Sequence, residues 1–230
     1  MKSSKKAKKE VFVPDPDLPP VEEDFRKTFS WRIFRIMAEF VDGFHFVADL
    51  KKAVGIFGSS RTSNKDHYYR EARKLAKLLA QAKFAVVTGG GPGIMEAANR
   101  GSSEGKGESV GINIQLPGGE RRNKYVKKAI SFHYFFTRKV MFSFACRAYV
   151  FFPGGFGTLD EFFEMVTLVQ TKKLPKPVLV IAVGREYWGP FFEWLEKELY
   201  RKRKAINKKD LASFQLVDSA REAFKMIKAT

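Results

Sequence analysis

Three glycine-rich loops constrain this chain more than any other feature, because each follows a short apolar run and opens a segment of helical period. The loops are Gly58–Ser60, Gly89–Gly93 and Pro153–Gly157. Apolar runs without polar alternation are typical of strands that are buried on both faces. Their alternation with helices indicates a parallel sheet that is covered by helices on both sides.

The full pattern predicts an α/β fold, a Rossmann-like doubly wound parallel sheet with helices on both faces. The expected strands are residues 53–57, 84–88, 109–114, 131–132, 148–152, 177–183 and 214–217. The expected helices are residues 68–82, 94–103, 124–130, 137–147, 158–170, 190–200 and 219–227. Such sheets bind ligands at the carboxyl ends of their strands, where the strand order reverses. We therefore expect the three glycine-rich loops to lie together along that edge.

The segment before the first strand is expected to be separate from the sheet. Residues 1–20 read as a basic, proline-rich tail, residues 21–50 as a helical arm and residues 51–230 as the nucleotide-binding domain. In the arm, Phe25, Phe29 and Ile33 repeat at helical spacing. This arm and the aromatic helix from Phe135 to Phe144 carry more apolar surface than one domain face covers. We therefore expect a homodimer or a higher even oligomer.

Charge predicts affinity for anions, since 42 Lys and Arg stand against 25 Asp and Glu, a net charge of +17. The basic residues cluster near Lys2–Lys9, Arg121–Lys128 and Arg201–Lys209. Single-stranded nucleic acid is bound by basic grooves with aromatic stacking platforms. The first and last clusters have only Tyr200 nearby. We therefore expect these clusters to be solvated surface and expect no nucleic-acid partner.

The composition also excludes several kinds of site. The single cysteine, Cys146, cannot form an internal disulfide, and no Cys/His cluster suits zinc. The apolar runs are far shorter than the roughly 20 residues of a membrane span, and no secretory signal is recognisable. We expect a cytoplasmic protein without membrane association, metal or cofactor. His45, His67 and His133 are scattered and receive no catalytic role.

The glycine loops indicate an anion site. Gly89–Gly93 lacks both the G-x-G-x-x-G spacing of a dinucleotide fingerprint and the lysine of a P-loop. The stretch 101–107 has the wrong spacing for a P-loop and is expected to end a helix. Glycines at a strand-to-helix turn free backbone N–H groups to face an anion, with help from the helix dipole.

Two further features leave two interpretations each. In the stretch Pro153–Glu161, Glu161 follows Thr158 by three residues, which suits either a capping box or a catalytic carboxylate. Arg138, followed by Lys139 and then Met141, suits either bidentate recognition of phosphate or carboxylate, or an ordinary surface ion pair.

Together the motifs 89–96, 138–141 and 153–161 resemble the LOG family, the cytokinin riboside 5′-monophosphate phosphoribohydrolases that were long labelled lysine decarboxylases. The resemblance runs from about Lys52 to Ile227. It implies a dimeric, Rossmann-like hydrolase that cleaves the N-glycosidic bond of AMP or of cytokinin riboside 5′-monophosphates. Glu96 stands where plant members typically have Gly, which places the chain nearer the bacterial branch.

The resemblance implies that Arg138 and Glu161 are the catalytic residues. The residues expected to bind substrate or phosphate are Gly58, Ser59, Gly90, Gly91, Gly93, Met95, Glu96, Lys139, Pro153, Gly154, Gly155, Gly157 and Thr158. Cleavage of a ribose–base bond passes through an oxocarbenium-like state, which a carboxylate such as Glu161 stabilises. The alternative is a non-catalytic nucleotide or molybdenum-cofactor carrier, since carriers of this cofactor have a similar fold. A decarboxylase would need a pyridoxal-bearing lysine, and nothing near the glycine loops marks one.

Overall fold

A computed structural model of the chain describes residues 28–115, 122–174 and 177–229. One parallel sheet organises this part of the chain. Its strands are β1 (Ala53–Phe57), β2 (Ala85–Thr88), β3 (Ser109–Ile114), β4 (Lys128–Phe132), β5 (Ala148–Phe151), β6 (Leu179–Val183) and β7 (Gln215–Val217). The strand order is β4-β3-β2-β1-β5-β6-β7, so it reverses between β1 and β5. This order confirms the predicted doubly wound α/β fold.

Helices connect the strands. They are α1 (Phe29–Ala48), α2 (His67–Gln81), α3 (Ile94–Glu104), α4 (Phe135–Ala145), α5 (Phe156–Gln170), α6 (Arg185–Trp194) and α7 (Ala220–Lys228). A π-helical segment, Leu195–Lys202, continues α6, and a 3₁₀ helix covers Lys208–Ser213. Gly105 ends α3, as expected for the turn at 101–107.

The sheet separates two apolar cores, which explains why its strands read as continuous apolar runs. In β1, Val54 and Ile56 face the core that contains α2, α3 and α7. Ala53 and Phe57 face the core that contains α4, α5 and α6. Successive side chains of a strand point to opposite faces, so a strand covered on both sides must be apolar at every position.

The region around β4 corrects the predicted helix at 124–130. Residues 124–125 form a turn, and Lys128–Phe132 form an edge strand parallel to β3, with Val110 opposite Lys128 and Ile114 opposite Phe132. The Lys127 N–H also donates to the Ser109 carbonyl oxygen at 2.9 Å. Pairing with a neighbour that is distant in sequence therefore overrides the local helical preference.

The sixth helix also begins earlier than expected. The prediction started it at Pro190, whereas α6 begins at Arg185 and carries Pro190 within it. The Arg185 N–H donates to the Asp218 carboxylate at 2.9 Å, and Trp188 is buried against the sheet. A contact to the loop after β7 and an apolar anchor thus decide where this helix starts.

The chain divides into two compact units, Met1–Arg35 and Ile36–Thr230. Residues 28–35 are the described part of the first unit and include the exposed Phe29 and Phe34 of α1. The basic tail, Phe25 of the predicted stripe and Arg121 of the second basic cluster lie outside the described residues. The predicted domain boundaries stay predictions. Across the described ranges, we find no helix that combines the length and the apolar character needed to cross a bilayer.

Candidate active site

A pocket opens at the carboxyl edge of the sheet, where the strand order reverses. Its volume is about 840 Å³, and its walls come from the loops after β1, β2 and β5 and from α4. The backbone joins two of these loops directly, since the Ser59 N–H donates to the Pro153 carbonyl at 3.0 Å. The three glycine-rich loops therefore meet, as the sequence predicted.

Both predicted catalytic residues and most of the predicted binding residues line this pocket. They are Arg138, Glu161, Gly58, Ser59, Met95, Pro153, Gly154, Gly155, Gly157 and Thr158. They come from segments that are far apart in sequence, so their convergence reflects the topology of the sheet.

Five predicted binding residues do not line the pocket: Gly90, Gly91, Gly93, Glu96 and Lys139. Gly90 and Gly93 have positive φ angles of 75° and 70°. A Cβ on Gly93 would collide with the Ser59 carbonyl oxygen, so this glycine lets the loop after β1 rest against the start of α3. Gly90 and Gly93 thus contribute to the pocket by shaping the loops that form it.

The two charged members of this group face other partners. Glu96 accepts a hydrogen bond from the Tyr69 hydroxyl at 3.3 Å. Lys139 lies 2.9 Å from Asp160 and 3.4 Å from Glu164. Direct substrate binding by either residue therefore stays a prediction.

Arg138 enters the pocket along a fixed path. Its Nε donates to the Ile112 carbonyl of β3 at 2.8 Å, and its guanidinium lies 5.1 Å from the centre of the Phe142 ring. A Cβ on Gly89 would stand 2.5 Å from Nη2, so the glycine makes room for this side chain. Burial lowers the pKa of Arg138, whereas the negative charge of the nearby Glu161 raises it. Because a guanidinium keeps its proton in proteins, Arg138 is a permanent cation in the wall.

The helix start after β5 excludes the capping box as the interpretation of Thr158 and Glu161, and the catalytic role stays a prediction. Helix α5 begins at Phe156 and its N-cap is Gly155, and no side chain in the described part of the protein caps it. Thr158 is therefore the third residue of the helix rather than its cap, and the capping box is not formed. Its N–H bonds the Gly155 carbonyl at 3.0 Å. Glu161 is thus free of any capping role.

The loop itself is held from two sides. A Cβ on Gly154 would lie 2.6 Å from the Thr158 Cβ, so only glycine lets the loop pass this side chain. The Tyr187 hydroxyl donates to the Gly154 carbonyl at 2.6 Å. The first N–H groups of an α-helix lack intrahelical acceptors and attract anions. In α5 these groups belong to residues that line the pocket.

Glu161 is buried, and its Oε2 has no hydrogen-bond partner among the described residues. Burial and the neighbouring Glu164 raise the pKa of Glu161 to about 8, against the opposing effect of Arg138 and Lys139. Burial disfavours the charged form of a carboxyl, and a second carboxyl disfavours it further. A strongly raised pKa in a pocket marks a candidate functional group.

Several pocket residues carry no sequence signal that would have identified them. Arg61, Thr62, Asp66 and Tyr68 follow β1, and Phe156 opens α5. Phe156 is 93% exposed, which is unusual for a phenylalanine in an otherwise well-packed domain.

Sequence reasoning also missed a partly buried polar network at the loop after β2. The Asn123 side-chain amide donates to the carbonyls of Gly90 and Gly91 and to the Asn99 side chain, each at 2.9 Å. The Thr88 hydroxyl donates to the same Asn99 oxygen at 2.7 Å. These bonds fix the glycine-rich loop after β2. Only the tertiary fold brings Asn123 to this loop, so spacing alone could not reveal it.

The fold and the pocket together define a Rossmann-like protein with a pocket at the topological switch point. A family model described as "Possible lysine decarboxylase" matches residues 95–227, more than half of the chain. The chain belongs to this family, which is the LOG family of the sequence motifs.

Curated relatives agree with this assignment. A probable cytokinin riboside 5′-monophosphate phosphoribohydrolase of Arabidopsis thaliana is 31% identical over 142 residues, which cover 59% of this chain and 69% of the relative. A probable enzyme of the same name from Oryza sativa subsp. japonica is 30% identical over 65% of this chain and 61% of the relative. The cytokinin riboside 5′-monophosphate phosphoribohydrolase of Rhodococcoides fascians is 25% identical over 63% of this chain and 74% of its own length. The matches thus span between 61% and 74% of these three relatives.

Solved structures show the same fold. The molybdenum cofactor carrier protein of Chlamydomonas reinhardtii aligns with a TM-score of 0.56 at 20% identity, over 78% of this chain and 99% of that one. The molybdenum cofactor binding protein of Rippkaea orientalis gives a TM-score of 0.56 at 20% identity, over 78% of this chain and 96% of that one. At this identity the likeness concerns the architecture of the chain.

Replacing the buried carboxyl should change how stability depends on pH. The ordinary pKa of glutamate is 4.5, so between that value and the raised one the folded protein holds a proton that the unfolded chain has released. Stability contributed by Glu161 is therefore present at low pH and lost as pH rises towards about 8. We expect Glu161→Gln to gain stability relative to the wild type between pH 5 and pH 9. The gain should exceed about 1.4 kcal/mol, the equivalent of a difference of one in pKa.

Thermal melts at several pH values measure this difference. The matched control is Glu193→Gln at an exposed carboxyl of α6, which should follow the wild type across the range. A constant difference between Glu161→Gln and the wild type at every pH would contradict the raised pKa.

Proposed function

We propose that this protein is a nucleoside 5′-monophosphate phosphoribohydrolase. It would hydrolyse the N-glycosidic bond of AMP or of a cytokinin riboside 5′-monophosphate and release the free base and ribose 5-phosphate. The observation that carries the proposal is the convergence of Arg138 and Glu161 on the pocket that also contains the loop Pro153–Thr158. The relatives named as phosphoribohydrolases support the same reaction.

The phosphate would bind at the start of α5. A Cβ placed on Gly155 or Gly157 would meet no atom within 4 Å, so packing within the described structure does not require glycine at either position. The empty space lies on the pocket side of a helix N-terminus that lacks a side-chain cap. This combination suits a phosphate group that lies against the backbone.

The reaction needs a negative charge near C1′ of the ribose. As the bond to the base lengthens, positive charge develops on the sugar ring, and the Glu161 carboxylate would stabilise it and accept a proton from the attacking water. Arg138 would orient the substrate through its fork of N–H donors. It cannot serve as the acid that protonates the leaving base, because it does not release its proton.

Two other activities are less well supported. A molybdenum-cofactor carrier would share this fold and would bind its ligand without turnover, but the likeness to such carriers rests on 20% identity. The described residues that line the pocket include no lysine, so a pyridoxal-dependent decarboxylase lacks its attachment residue there.

The direct test is turnover of nucleoside monophosphates. Incubation of the purified protein with AMP, GMP, CMP and UMP, followed by chromatography, should show free base and ribose 5-phosphate for at least one of them. Adenosine should react far more slowly than AMP, since it leaves the phosphate donors unpaired. Glu161→Gln should lower the rate by at least about 100-fold while AMP binding persists. Binding of nucleotides without any release of base would favour a carrier instead.

The phosphate assignment predicts a specific defect in Gly157→Ala. The added methyl group enters the space reserved for the phosphate, so the KM for AMP should rise at least about tenfold, equivalent to about 1.4 kcal/mol. Its melting temperature should stay the same or rise slightly, since alanine suits a helix. The control is Gly189→Ala on α6, whose Cβ would meet only Arg185 at 3.5 Å. An unchanged KM in Gly157→Ala would contradict the proposal that the phosphate binds at this position.

We also propose that two copies associate through the exposed apolar face of α1 and α4. On this face Val41 is 68% exposed and Phe135 is 57% exposed. The Phe44 and Phe144 rings touch edge to face at 5.2 Å, which makes the two helices one continuous surface. Such a surface on a single chain favours association with an identical copy.

Light scattering tests this proposal. The wild type should have the mass of a dimer or of a higher even oligomer at micromolar concentration. The double variant Val41→Glu with Phe144→Glu should move towards the monomer. Trp194→Glu, which places the same charge at another exposed aromatic residue on α6, should leave the mass unchanged. A monomeric wild type would overturn the proposal.

A further inference from the structure

Glu161 has a second carboxyl beside it that does not line the pocket. Glu164 follows on the same helix at the i, i+3 spacing that places side chains on one face. Oε2 of Glu161 and Oε2 of Glu164 are both buried, and neither has a hydrogen-bond partner among the described residues. Burial and mutual repulsion disfavour two negative charges at these positions, so one proton between the two carboxyls would satisfy both oxygens and leave the pair with one negative charge.

A cation lies on the Glu164 side of this pair. Lys139 Nζ is 3.4 Å from Glu164 Oε2 and 2.9 Å from Asp160 Oδ1. Glu161 forms no ion pair in the described structure, and the nearby Arg138 donates its Nε–H to the Ile112 carbonyl. The negative charge of the pair is thus better stabilised on Glu164, and the proton is better placed on Glu161.

We propose that Glu164, held by Lys139, is the positioning residue for Glu161: it accepts the hydrogen bond of the Glu161 carboxylic acid in the empty pocket and takes its proton when positive charge develops on the substrate. This role rests on the proposed hydrolase function. The proton moves from Glu161 to Glu164, so the charge of the pair stays the same and Glu161 becomes a carboxylate. Water then bonds C1′, the C1′–N bond breaks with its electrons on the base, and Glu161 takes the water proton. One proton passes from the pair to the base, directly or through solvent, and restores the resting state.

The arrangement resolves an electrostatic conflict within the pocket. A permanent carboxylate at Glu161 would repel the phosphate dianion of the substrate before any positive charge exists on the sugar. A neutral Glu161 admits the dianion, and the adjacent acceptor lets it ionise at the step that needs its charge.

The charged groups around Glu161 come from two helices. Arg138 and Lys139 of α4 favour its ionised form, whereas Asp160 and Glu164 of α5 oppose it. From the sheet, the buried Tyr149 phenol interacts electrostatically with both carboxyls. Burial raises the pKa of Tyr149 and its hydroxyl donates to the Phe142 carbonyl, so it stays neutral. Removal of the Glu164 charge should therefore lower the pKa of Glu161, and removal of the Lys139 charge should raise it.

The experiment measures the ionisation of Glu161 by two methods in each variant of the full chain. Carbon-13 carboxyl NMR of glutamate-labelled protein gives its titration directly, with the signal assigned by its loss in Glu161→Gln. The pH dependence of kcat/KM for AMP gives the same ionisation during turnover. Glu164→Gln removes a negative neighbour and should move both midpoints at least about one pH unit lower. Lys139→Met removes a positive neighbour and should move both midpoints higher. Lys139→Arg should restore the wild-type midpoint.

Each outcome bears on one of the two proposals. Opposite shifts in both measurements support the proton exchange, whereas unchanged midpoints or shifts in the same direction overturn it. Opposite NMR shifts without turnover of any nucleotide would overturn the hydrolase function and leave the carboxyl pairing supported. The matched control is Lys202→Met, which breaks the surface ion pair with Glu198 and should move neither midpoint. If Lys139→Met does not fold, the direction of the midpoint shift in Glu164→Gln still tests the proposal, and Lys139→Arg should keep the wild-type midpoint.

Discussion

The parallel pairing of β1 with β5 is the interaction on which the site depends. Their ladder matches Phe57 with Phe151 and continues beyond the strands, where the Phe152 N–H donates to the Phe57 carbonyl at 2.9 Å. These strands are neighbours in the sheet although almost a hundred residues separate them, and the strand order reverses at this pair. The loops that leave them diverge to opposite faces, which opens the space that becomes the pocket.

Burial gives the pocket its chemical character. Arg138 and Glu161 line the same pocket, but burial acts on them differently. The guanidinium keeps its charge, whereas burial and the neighbouring Glu164 raise the pKa of the Glu161 carboxyl. Lys139, although next to Arg138 in sequence, points to Asp160 and Glu164 instead of into the pocket. Of these two adjacent cations on α4, Arg138 lines the pocket with Glu161, and Lys139 pairs with Asp160 and Glu164.

The predictable parts of the structure are those that local chemistry specifies. Continuous apolar runs required strands that are buried on both faces, and glycines after these strands required tight turns into helices. The fold class and the meeting of the three loops followed from these two features. The failures occurred where a distant partner decides: β4 replaces the expected helix at 124–130 because β3 offers it a ladder, and α5 starts before Thr158 without any side-chain cap.

The sequence by itself determined the parallel sheet, the edge at which its loops gather and the identity of the charged residues in the motifs, because each depends on periodicity or on residue type. Only folding determined which of these residues line the pocket. It directed Arg138 and Glu161 into the pocket, assigned Lys139 to Glu164, and used Asn123 to hold the loop after β2. The physical reason is that side-chain orientation, burial and charge pairing depend on neighbours that are brought together only by folding.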